Sequence, residues 1–193
     1  MRAKPAALGG VALSGATALI AGSQTWVSFM LDGTHSVETV TGNAANAALA
    51  PVSVALIAAA LALTIAGPVF RRVLGVLVAL LGAGLIALTV GVLADPLAAA
   101  GGRITELTGI AGGAAGSAVL WSDVSPWGWV SLIAGALAVA LGLLVLLFSG
   151  RWGSAGRKYD SAPKAGGNAG GAPDRISDWD SLSEGTDPSD DIR

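Results

Sequence analysis

The sequence predicts an all-α integral membrane protein: a four-transmembrane-helix bundle with a disordered cytoplasmic C-terminal tail. Three observations predict it. The 193 residues are 53% hydrophobic and only 12% charged, about half the charge of an ordinary soluble domain, and the mean hydropathy is +0.68. The charges avoid four long stretches, Lys4 to Asp32, Glu38 to Arg71, Arg72 to Asp95 and Asp123 to Arg151. Beyond residue 152 the composition turns polar, which divides the chain into a membrane domain, 1–152, and a tail, 153–193.

Each charge-free stretch holds a helix of roughly 20 residues, enough to cross ~30 Å of hydrocarbon. An Arg, Lys or Asp at a helix centre costs about 2.5–3.5 kcal/mol on insertion, so their absence locates the membrane. The expected spans are 7–29, 51–70, 73–94 and 128–148. Pro68 is expected to end the second span, and "ADP" (Ala94–Pro96) the third, because proline cannot continue a helical hydrogen-bond ladder. The two arginines in "GPVFRRVLG" (Gly67–Gly75) then sit at a tight turn, and spans two and three form an antiparallel hairpin.

Lysine and arginine set the expected topology. Arg2, Lys4, Arg71, Arg72, Arg151, Arg157 and Lys158 fall on one side, and Arg103 falls on the other with Asp32, Glu38, Asp95, Glu106 and Asp123. The positive-inside rule places both termini in the cytoplasm of a multi-pass plasma-membrane protein, with 30–50 and 95–127 outside. Trp26, Trp127 and Trp129 at the outer boundary and Trp152 at the inner one are expected interfacial anchors. A cleavable signal ending near "AGS" (Ala21–Ser23) is the rival reading of the first span, but the uncharged run exceeds the usual 7–15-residue apolar core of such signals.

Lipid provides no hydrophobic drive for helix association, so small residues that let backbones approach direct the packing. Gly75 and Gly82, Gly84 and Gly91, and Gly128, Gly135 and Gly142 each recur at seven-residue intervals. Seven residues is nearly two turns, so each set marks one helix face. These faces are expected to be helix contacts, and a homodimer through a leftover glycine face is a further expectation. Ser14, Thr17, Thr64 and Thr89 are expected to bond back to their own helices.

Chemistry-bearing constellations are sparse. His35 and Glu38 form the best ligand pair, yet zinc needs three or four ligands and the chain has one His and no Cys. No metal, cofactor or nucleic-acid site is expected, and no catalytic residue stands out. The stretch Thr108–Trp129 in the outer loop is apolar in its middle and is expected to lie on the membrane surface, anchored by Trp121 and Trp127.

The tail opens with a flexible linker, Gly153–Ala172. Beyond it, "SDWDSLSEGTDPSDD" (Ser177–Asp191) is patterned as a short capped helix. Ser177 suits the N-cap with Asp180 three residues on, Gly185 closes it, and Pro188 prevents further winding. Such a helix is too short to persist alone in water. The expected role is a motif that folds on a partner, with Trp179, Asp180, Leu182, Gly185, Asp187 and Pro188 as docking residues. The alternative is a merely solubilising tail.

Five stretches together resemble one family: "AGSQTWV" (21–27), "FRRVLGVLVALLGAG" (70–84), "SPWGWVSLIAG" (125–135), "GRKYD" (156–160) and "DWDSLSEGTDP" (178–188). The chain resembles the tryptophan-biosynthesis-associated membrane proteins of actinobacteria, small four-span proteins named for their genetic context. The resemblance implies a link to tryptophan synthesis and carries over no catalytic residue. By likeness Trp26, Arg157, Tyr159, Asp160, Trp179, Asp180, Gly185, Asp187 and Pro188 sit on its recurring elements. Gln24 departs from it, standing where a basic residue is more typical.

The reading that follows is a non-enzymatic membrane accessory protein associated with tryptophan biosynthesis. Its partners are the bilayer and a cytosolic protein, such as a tryptophan-pathway enzyme, docked through the tail. A small transporter or exporter of tryptophan, an indole or a precursor is the alternative.

Overall fold

A computed structural model describes residues 3–33, 35–110 and 116–148, with side chains from residue 6 onward. The fold is mostly helical. Helix α1 spans Ala3–Ser23, α3 Leu49–Ile65, α4 Pro68–Ala94 and α7 Trp127–Phe148. Three of them (α1, over Ala6–Ser23, with α4 and α7) are long and apolar enough to cross a membrane, and α3 is a shorter apolar helix of 17 residues.

The chain is not all-α. Strands β1 (Thr25–Leu31), β2 (Val37–Thr41) and β3 (Val119–Val124) form an antiparallel sheet of order β2-β1-β3. Short helices α2 (Gly42–Ala45), α5 (Pro96–Ala99) and α6 (Gly101–Thr108) complete a cap at one end of the bundle. The expected first span, 7–29, is corrected accordingly: the helix stops at Ser23 and "TWVSFML" is a strand. Trp, Val, Phe and a β-branched Thr suit a pleated surface better than a helix, and an uncharged run cannot by itself distinguish the two.

A second correction concerns Pro68. Helix α3 ends at Ile65, and Pro68 opens α4 at its first turn, so Phe70, Arg71 and Arg72 are helical. Proline lacks the N–H that a first-turn residue leaves unbonded in any case, which suits it to this position. At the other end of α4 the expectation holds. The helix stops at Ala94, and the Asp95 carboxylate accepts from the Ala98 amide to start α5.

In the bundle, α4 packs most extensively on α7, and α1 packs on both α3 and α7. The glycine sets explain the first pairing. A Cβ on Gly142 would lie 2.6 Å from the Ala79 nitrogen, and one on Gly82 2.8 Å from the Val139 nitrogen. Gly75 faces the Gly142 carbonyl, Gly135 faces the Gly82 carbonyl, and Gly128 receives the Leu93 side chain. Hence Gly75 and Gly82 mate with Gly128, Gly135 and Gly142 along one seam. Gly84 and Gly91 have open space where a Cβ would stand, so they lie off that seam.

Candidate functional site

The cap is where the described residues converge on polar and aromatic groups. Its hinge is Trp26, fully buried at 0% exposure. The indole Nε1–H donates to the Ala21 carbonyl over 2.8 Å, in the last turn of α1, where helical carbonyls lack partners of their own. The ring packs on Gly42, whose Cβ would lie 2.5 Å from it. Around it the Gly42 amide donates to the Gln24 carbonyl and the Ser125 amide to the Trp26 carbonyl, and the Ser125 hydroxyl bonds the Thr25 carbonyl. The end of α1, the start of β1, the start of α2 and the residues leading into α7 are thereby tied at one point.

Trp26 is therefore a packing residue, and its expected role as an interfacial anchor is corrected. Trp127 and Trp129 are exposed at the start of α7, Trp129 at 63%. Trp152 and the docking residues Trp179, Asp180, Leu182, Gly185, Asp187 and Pro188 lie outside the described residues.

One face of the sheet carries Val27, Phe29 and Val40, all buried, and Ile104 of α6 is buried with them. Over this face Arg103 bridges two carboxylates, Glu38 of β2 at 3.0 Å and Glu106 at 2.9 Å. The hydrogen bonds that Arg103 donates to Glu106 and then to Glu38 raise its pKa above the ordinary value. The guanidinium therefore stays charged at any physiological pH. A cleft of about 260 Å³ opens beside it, lined by Thr39, Val40, Ala99, Arg103 and Glu106 among others. His35 is exposed, and Glu38 pairs with Arg103. Among the described residues no group of three metal-capable side chains assembles.

Inside the bundle the hydroxyls divide into two kinds. Ser14, Ser53 and Thr64 donate to carbonyls of their own helices, at Val11, Leu49 and Leu61. Thr89 departs from that expectation: it meets Ser131 of α7 at 3.1 Å, both fully buried. The reading of the sequence missed Ser131. Its seven-residue offset from Ala138 and three-residue offset from Gly128 were the available signal that it shares the glycine face. Arg71 is buried near the start of α4, and its Nη2 donates to the Ala66 carbonyl across the α3–α4 turn at 2.8 Å.

Helices built to cross a bilayer, a glycine-welded seam and a small sheet cap define a multi-pass membrane protein. The chain belongs to the tryptophan-associated transmembrane protein family, whose model matches residues 8–189. No curated protein and no solved structure matches it. Three of the stretches that carry the resemblance lie within the described residues and touch one another: 21–27 meets 125–135 at the Trp26 hinge, and 70–84 meets 125–135 along the seam.

Proposed function

We propose that this protein is a four-span, non-enzymatic accessory protein of tryptophan biosynthesis. It sits in the plasma membrane with both termini cytoplasmic, and its tail docks a cytosolic protein. The observation that carries the topology is the pairing of β1 with β3. Strands of one sheet lie on the same side of a membrane, so the chain crosses it an even number of times between Leu31 and Val119. Since α4 crosses, α3 crosses too. Its 17 residues give ~26 Å, a mismatch of a few ångströms that local bilayer thinning absorbs at small cost. The charge asymmetry agrees, with Arg71 and Arg72 near one end of α4 and Arg103 beyond the other.

Support for the docking role comes from the extent of the family match, which runs past the bundle to residue 189 and includes the Trp179 motif. In-cell photo-crosslinking from the tail of the full-length chain tests it. A discrete partner is expected with the parent protein and is lost with Trp179→Ala; identical adducts from both would remove the docking role. The transport reading draws on the cleft beside Arg103. Equal flux of labelled tryptophan in deletion and parent cells would remove that reading.

A further inference from the structure

The two edges of the cap sheet are treated differently. At the β2 edge, Glu38 is held by Arg103 of α6, so charge and a helix guard it, as sheet edges commonly are. The β3 edge has no strand partner among the described residues. It carries one charge, Asp123, and exposes Leu120 at 61% and Trp121 at 48%. Adjacent strand residues point to opposite faces. Because both are exposed, they flank the free edge itself rather than sharing a face. Leu120 also sits where the β1–β3 register slips, between the Met30–Trp121 and Leu31–Val119 pairs.

The position of this edge is fixed by its neighbours. β3 ends at Val124 and the membrane-spanning α7 begins at Trp127, with exposed Trp127 and Trp129 on its first turn. β3 thus leads directly into the exposed, tryptophan-bearing start of α7, with Ser122 and Asp123 between Trp121 and Val124. Trp121 lies three residues from Val124, ~10 Å of strand. The headgroup layer adds about 5–8 Å beyond the hydrocarbon on each side, so a leaning sheet brings an indole within that layer.

We propose that the β3 edge rests in the headgroup layer of the bilayer, with Leu120 and Trp121 set within that layer and the edge N–H and C=O groups bonding headgroup oxygens and water. That layer suits both features at once, because amphipathic rings favour it and it supplies polar partners that the hydrocarbon lacks. The cap is then a surface-bound extension of the bundle, and lipid fills the place where a fourth strand would otherwise pair.

The chain has no cysteine, so single-cysteine variants of the full-length protein report directly. Leu120→Cys, Trp121→Cys and Thr39→Cys are spin-labelled in vesicles of phosphatidylcholine and phosphatidylglycerol, and collision with oxygen is compared with collision with a water-soluble nickel chelate. The oxygen-to-nickel ratio at 120 and 121 is expected to be severalfold higher than at 39. Equal, water-like ratios at all three positions would overturn the proposal. Shielding of 120 and 121 from both reagents would also overturn it, since another protein segment would then cover the edge. Spin–spin broadening lost on dilution with unlabelled protein would identify that segment as a second copy.

Discussion

The bundle and the cap are held together by opposite means. Along the α4–α7 seam the contact is made by what is missing: four glycines let backbone meet backbone and a fifth, Gly128, admits the Leu93 side chain, with Thr89 and Ser131 as a polar rivet. In the cap the contact is made by large side chains, Trp26, Phe29 and Ile104, closed over by a hydrogen-bonded ladder and an ion pair. The difference follows from the solvent. In lipid, a large apolar side chain gains little by leaving the tails, so close approach and dispersion decide the packing. At the water side, burying the same side chain is the main favourable term.

That contrast breaks if large side chains prove unimportant in the cap, so the largest expected effect is there. Trp26→Ala removes a fully buried indole and its bond to Ala21. It should cost about 3–5 kcal/mol, read as a lowered unfolding midpoint in nanodiscs, whereas Trp26→Phe keeps most of the ring and should lose ~1 kcal/mol. Next comes the seam. Gly82→Ala and Gly142→Ala place a methyl against partner backbone that cannot yield as a side chain can. Each should cost about 1–3 kcal/mol in the same assay. Thr89→Val removes the interhelical hydroxyl pair and should cost only ~0.6 kcal/mol.

The smallest effect sharpens the comparison most. Gly84→Ala lies on the same helix as Gly82 and in the same lipid, but meets open space. No loss is expected, and alanine's better helix propensity allows a gain of up to ~1 kcal/mol. A loss at Gly84 equal to that at Gly82 would mean that glycine content, rather than the seam, governs stability.

The bundle was legible in the sequence because lipid imposes simple rules on it. Charge-free runs marked the helices, two of the three seven-residue glycine sets marked the mating face while Gly84 and Gly91 did not, and Asp95–Pro96 marked the end of α4. The cap was illegible for a physical reason. "TWVSFML" is uncharged like its preceding helix, and a buried strand and a helix segment share the same apolar run until the partners are known. The partners of β1 are Val37–Thr41 and Val119–Val124, the latter roughly ninety residues away and beyond the two long helices α3 and α4, and no local pattern announces such a pairing. Trp26 was misread for the same reason. A tryptophan at a membrane boundary fits an aromatic belt, and only Gly42 and the Ala21 carbonyl reveal the socket that holds it.

The claim on which the topology rests is that the two sheet segments share one side of the membrane. Single cysteines at Thr39 and Ser122, exposed on β2 and β3, and at Ser177 in the tail test it with a membrane-impermeant maleimide on intact cells. The account predicts labelling at 39 and 122 without lysis, and at 177 only after it. Labelling of 39 and 122 from opposite sides would contradict it, because β1 and β3 could not then pair and α3 would not cross.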